Sequence, residues 1–145
     1  VSALVRERAD VWGPFADERG VHFAIECTAG LTAMNVPGGL EQIVDNYIDN
    51  AMNVAAAGDT VTLSATPRPH SVSVRVIDEG SGMPPEHLAH AFDRFWRAPD
   101  APHGGSGIGL AVAHHLAHLS GGSVELQNRS DRRGLIASVE LPVGD

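Results

Sequence analysis

Apolar residues at Leu40, Ile43, Val44, Tyr47, Ile48 and Ala51 recur at helical spacing and predict an amphipathic helix from Pro37 to about Ala56. Ser2 to about Glu18 also reads as a helix, which Gly13-Pro14 should break or bend. Val21 to Cys27 alternates like a strand, and Thr60 to Ala65 with Ser71 to Ile77 predict a hairpin around Pro67–Pro69. A further helix is expected from Gly107 to Ser120, with an apolar face of Ile108, Val112, Leu116 and Leu119 and a stop at Gly121-Gly122. Ser123 to Gln127 and Leu135 to Leu141 then alternate as a final hairpin. No repeat or low-complexity linker interrupts this order. The pattern is α+β: a two-layer sandwich in which helices cover one face of a mixed, mostly antiparallel sheet.

A chain of 145 residues, 43% hydrophobic and 19% charged, fits one domain over 1–145 with a sizeable core. The formal charge of −8 argues against a non-specific nucleic-acid binder, which normally carries a basic face. The sequence shows no apolar run of membrane-span length and no signal-peptide pattern, so no direct membrane contact is expected. The single Cys27 forms no internal disulfide and suits a reducing compartment. The first residue is not Met, which suggests a fragment of a longer chain. All ten basic residues are Arg. Without a lysine a P-loop is excluded, so phosphates must be met by backbone N–H groups, Arg, His or a metal ion.

Three polar patches carry the candidate chemistry. Asn46, Asn50 and Asn53 share one stripe beside the apolar face of the long helix, while Glu41, Asp45 and Asp49 point toward solvent. The stripe is either a solvated helix edge or a pocket wall whose amide oxygen joins an octahedral Mg2+ shell. The second patch is Asp78-Glu79-Gly80-Ser81-Gly82, after the strand ending at Ile77. Either Asp78 caps a plain glycine turn, or it accepts the exocyclic amine of adenine while Gly80 and Gly82 admit the flat base. Guanine would present a carbonyl there, and an unsatisfied acceptor costs about 1–3 kcal/mol, enough to select adenine. The third patch, Gly104-Gly105-Ser106-Gly107-Ile108-Gly109, lacks the preceding strand of a dinucleotide-binding site. It is a surface loop or a movable flap, opening a helix whose N-terminal N–H groups favour anions.

These motifs resemble, over nearly the whole chain, the ATP-binding catalytic domain of bacterial sensor histidine kinases. That domain has the Bergerat fold shared with gyrase, heat-shock-protein-90 and MutL ATPases. Glu41–Ala51 (EQIVDNYIDNA) matches the family's N box, Asp78–Gly82 (DEGSG) its first glycine box, Phe92–Arg97 (FDRFWR) its F box and Gly105–Leu110 (GSGIGL) its second glycine box. The resemblance implies that Asn50 binds Mg2+, Asp78 recognises adenine, and Gly80 and Gly82 approach the base. It places Arg97 on the phosphates and lets Gly105, Ser106, Gly107, Ile108, Gly109 and Leu110 form the lid, with Phe92 and Phe95 as anchors. Asn46 and Asn53 complete the nucleotide-binding set, and Asn46 is the one candidate catalytic position in this chain.

In hydrolysing relatives the position of Asn46 holds a Glu that activates water, and an amide cannot take a proton. The implied activity is therefore transfer of the γ-phosphoryl group of Mg-ATP to a histidine. One departure is that Asn53 and Val54 stand where the family has a basic residue followed by an aromatic or His. His103 is a weak substitute for that lost phosphate contact. No His here precedes an acidic residue, so the acceptor must lie on a separate dimerisation segment of the parent chain. The expected partners are that segment and, through the parent kinase, a response regulator, with no nucleic acid. The isolated domain should be a monomer, the cytoplasmic part of a membrane-anchored kinase. Two rivals remain: a non-catalytic nucleotide-binding module (anti-sigma-like or a degenerate kinase), and zinc binding by His114 and His118, which instead read as exposed surface residues.

Overall fold

Valines at alternate positions of one strand, Val72, Val74 and Val76, are buried, while Ser71, Arg75 and Ile77 on the opposite face are less so and only Ser73 there is covered. That period of two gives the strand a core face beneath the helices and sets the layering of the molecule. The structure is a computed structural model that describes residues 1–93 and 109–143. In chain order its elements are α1 (Ser2–Glu18), β1 (His22–Cys27), α2 (Gly39–Val54), β2 (Thr60–Pro67), β3 (Ser71–Ile77), α3 (Pro85–Leu88), α4 (Gly109–Leu119), β4 (Ser123–Asn128) and β5 (Leu135–Pro142). The sheet order is β1-β2-β3-β5-β4, with β1 parallel to β2 and the other pairs antiparallel.

Val61, Leu63, Ala65, Ala137, Val139 and Leu141 join the β3 valines on the face beneath the helices. The helical layer closes over them: α1 packs on β1 and β2, α2 on β3, and α4 on β4 and β5. The expected α+β sandwich is therefore present, its sheet mixed and mostly antiparallel. No helix among the described residues is long and apolar enough to cross a membrane.

Three expectations need correction. Gly13-Pro14 does not break the first helix, which continues as α1 from Ser2 to Glu18. Pro14 removes one backbone hydrogen bond, to Asp10, but both residues lie on the exposed side. There water can satisfy the freed carbonyl, and buried Ala9 and Ala16 hold the helix on either side. The buried face of α4 is built on Ala113 and Ala117, both fully buried, whereas Leu119 is 56% exposed. Small residues let α4 approach α2 closely. Finally, Asp45 does not face solvent: it accepts hydrogen bonds from Arg8 Nη1 at 2.8 Å and Trp12 Nε1 at 2.9 Å. Glu41 joins the same guanidinium at 3.3 Å. Two long donors on α1 reach the flank of α2, so that flank forms a helix–helix contact. Short α3 was not anticipated.

Tyr47, fully buried in the centre of α2, donates its hydroxyl to the Ser138 carbonyl of β5 at 2.8 Å. Burial pushes its pKa far above the ordinary phenol value. It stays neutral and ties helix to sheet. Tyr47→Phe should lower stability by about 1 kcal/mol in urea unfolding with an unchanged slope. Unaltered stability would show that this bond contributes nothing.

Candidate functional site

Asp78 follows the last residue of β3 and is only 4% exposed. A carboxylate there must find donors, and the chain supplies two for one oxygen. Oδ1 accepts from Gly80 N at 2.9 Å and from Leu135 N at 3.0 Å. Among the described residues Oδ2 has no hydrogen-bond partner, which leaves one acceptor for a ligand. Burial raises the Asp78 pKa above the usual carboxylate range, opposed by the two backbone N–H groups and by the charge of Arg129.

The loop after Asp78 is held from behind by the β4–β5 hairpin. Arg129 Nη1 donates to the Asp78 carbonyl at 3.1 Å and Arg133 Nε to the Gly80 carbonyl at 3.1 Å. Asn128 accepts from Met83 N and donates to Met83 O, both at 2.7 Å. Glu79 turns away, accepting from Thr60 N and pairing with Arg132 at 3.2 Å. Sequence reasoning missed Asn128, Arg129 and Arg133. They meet positions 78–83 only through strand pairing, and nothing in a single sequence links those stretches.

The two glycines have a packing reason of their own. A Cβ on Gly80 would lie 2.9 Å from Val54 Cγ2, and one on Gly82, where φ is +74°, would lie 2.6 Å from Asn128 Oδ1. Their bare Cα atoms thus let α2 and β4 close on the loop.

On α2, the amide row runs between two fixed points. Asn46 Nδ2 donates to the carbonyl of Gly109, the first residue of α4, at 2.9 Å, and its Oδ1 accepts from Gln42 at 3.1 Å. Eight residues later Val54 touches the Gly80 turn. At about 1.5 Å rise per residue these points are roughly 12 Å apart, with Asn50 midway on the same side. Asn50 is exposed and its amide has no hydrogen-bond partner among the described residues. Asn53 is also exposed. The structure therefore aligns Asn46, Asn50, Gly109 and the Asp78–Gly82 loop along one edge of α2. Leu110 packs against the core, as does Phe92, whose ring lies 5.8 Å from that of exposed His114. Arg97, Phe95, Gly105, Ser106, Gly107 and Ile108, with His103, lie outside the described residues.

A five-stranded mixed sheet lies under helices, and the loop that follows its strand-end carboxylate packs through Gly80 against the end of the amide-bearing helix α2. Residues 35–145 match the family described as histidine kinase-, DNA gyrase B-, and HSP90-like ATPase, and the chain belongs to that family. It is 35% identical over 127 residues to the signal transduction histidine-protein kinase AfsQ2 of Streptomyces coelicolor, covering 86% of this chain and 21% of that kinase. The chain thus spans about a fifth of that curated relative's length. Among solved structures, the catalytic domain of histidine kinase ThkA superposes with a TM-score of 0.88 at 20% identity, covering 99% of this chain and 92% of that one. Full-length ShkA in complex with AMPPNP superposes with a TM-score of 0.84 at 28% identity, covering 99% of this chain and 30% of ShkA. These matches give the non-catalytic module no support.

The raised pKa of Asp78 carries a stability consequence. The folded state holds the proton more tightly than the unfolded state, so the group's stabilising contribution is full below the unfolded pKa and is lost as pH rises through the folded one. Asp78→Asn keeps an oxygen for the Gly80 and Leu135 N–H groups and removes the buried charge. The ligand-free variant should unfold at or above the wild-type denaturant midpoint at pH 7, with the difference shrinking as the pH falls toward the carboxylate range. A marked loss of stability at pH 7 would show instead that the ionised carboxylate is favourable in the fold.

Proposed function

We propose that this domain binds Mg-ATP and donates the γ-phosphoryl group to a histidine on a separate dimerisation domain of a two-component sensor kinase. The observation that carries this reading is the division of labour at Asp78. One oxygen is saturated by backbone N–H groups and the other is left for a ligand. That free acceptor suits the exocyclic amine of adenine and repels the carbonyl of guanine. The kinship with AfsQ2, and the AMPPNP held by ShkA, support the same class of ligand.

Phosphoryl transfer asks a protein chiefly for position and electrostatics. Asn50 is the side chain suited to hold magnesium, since its amide oxygen is uncommitted and exposed beside the row that joins α4 to the Gly80 turn. Bound there with ATP, the metal would neutralise charge on the phosphates. Asn46 has neither the chemistry of a general base nor a free end to its amide, because Gly109 and Gln42 occupy both. Its role in this reading is positioning: it fixes the start of α4. With no base at that position, transfer to an acceptor is favoured over hydrolysis. Arg97 and the Gly105–Leu110 stretch complete the phosphate side by the motif match, and Asn53, which departs from the motif, lines the same edge of α2 without the family's charge. The acceptor histidine belongs to the dimerisation segment of the parent kinase, and a response regulator receives the phosphoryl group from it. The domain works as the cytoplasmic portion of a membrane-anchored kinase.

The test mixes the domain with the phosphoacceptor segment of its parent kinase and labelled ATP. Wild type should yield phosphohistidine, and Asn50→Ala should abolish it and remove the magnesium dependence of ATP binding. In Asp78→Asn an amide N–H would face the adenine amine, donor against donor, and ATP affinity should fall by at least about tenfold. Tight ATP binding without transfer in wild type would overturn the kinase assignment.

A further inference from the structure

We infer that Asn128 is a positioning residue for nucleotide selection, clamping the loop that carries the adenine-reading carboxylate. This rests on the assignment of Asp78 to adenine. Asn128 is the last residue of β4 and pairs with Leu135 across the hairpin, which Arg129 N closes further by donating to Gly134 O at 3.0 Å. The hairpin therefore does not need the Asn128 side chain, and that side chain is spent elsewhere. Its oxygen accepts from Met83 N and its nitrogen donates to Met83 O, each at 2.7 Å. An amide is the one neutral side-chain group that offers a donor and an acceptor side by side and so can pair with both backbone groups of one residue.

Met83 needs that partner. It lies between Gly82 and Pro84-Pro85, in neither helix nor strand, and among the described residues its backbone makes no other hydrogen bond. From Gly80 to Met83 the loop has few other restraints: the Arg133 contact to Gly80 O, and the Gly80 N–H held by Asp78 itself. Asn128 thus fixes the far end of a turn whose near end is the base-reading carboxylate. Gly82 completes the fit. Its missing Cβ leaves room for Asn128 Oδ1, and its φ of +74° directs the chain into the clasp. A loop held at both ends keeps Asp78 Oδ2 at one angle to an incoming base. A loop held only at Asp78 can tilt, and the penalty against guanine falls because its carbonyl need no longer face the carboxylate squarely.

The test uses Asn128→Ala and Asn128→Asp in the domain, with ATP and GTP titrated separately in the presence of magnesium and amide hydrogen exchange followed in the ligand-free protein. In Asn128→Ala, exchange at the Met83 amide should quicken while β3 and β5 stay protected. ATP affinity should fall about tenfold, and the ATP-to-GTP preference should shrink several-fold, an effect that general destabilisation would not produce. Asn128→Asp keeps the acceptor for Met83 N but sets a carboxylate against Met83 O, so it should behave like the alanine variant. Gly82→Ala should lose less affinity in the Asn128→Ala background than alone, because the clash it creates is with Asn128. If wild type binds ATP and Asn128→Ala keeps both its affinity and its ATP-to-GTP ratio, the inference is overturned while the functional reading stands. If wild type binds neither nucleotide, the functional reading fails and this inference falls with it.

Discussion

The site depends on one buried carboxylate that the fold half-satisfies. Asp78 stands at the end of β3 because the strand runs into a turn, and it can remain there because Gly80 and Leu135 each give its Oδ1 a backbone N–H. Burial still disfavours its charged form, as its raised pKa records. A group held in that condition gains most from a ligand donor, which removes the shortfall that the protein leaves. In the proposed function, the cost carried by the empty domain becomes binding selectivity for adenine.

Around that carboxylate the fold supplies three supports from distant parts of the chain. Helix α2 presses Val54 into the space left by Gly80, the β4–β5 hairpin reaches over with Asn128, Arg129 and Arg133, and Asn46 fastens the first turn of α4. The same helix α2 is anchored on its other flank through Asp45 to Arg8 and Trp12 of α1. One helix therefore carries an amide row toward the site and an ion pair toward the N-terminal helix.

Much of this was legible in the residues. The 3.6-residue period of α2, the alternation in β3 and β5, and the glycine stop after α4 are local signals, and local signals survive in a single sequence. So do the motifs at Asp78 and Asn50. Three things were not legible, one because solvent exposure softened a local rule and two because a tertiary contact outweighed it. Pro14 stays within α1 because the Asp10 carbonyl that it leaves without a donor lies on the exposed side. Asp45 reads as a solvent residue by angle on α2, but α1 brings a guanidinium and an indole N–H to it. Asn128 lies just beyond the strand expected from Ser123 to Gln127, and only the β3–β5–β4 order places it against Met83.

The central claim is that the α2 amide row, the Asp78–Met83 loop and the start of α4 surround one nucleotide. Backbone amide spectra of the domain titrated with magnesium and a non-hydrolysable ATP analogue test this most directly. The account predicts saturable shifts at Asn50, at Asp78 through Gly82 and at Gly109, all following one binding curve, while the outer face of the sheet stays unchanged. Shifts confined to one of these three stretches, or separate curves for each, would contradict it.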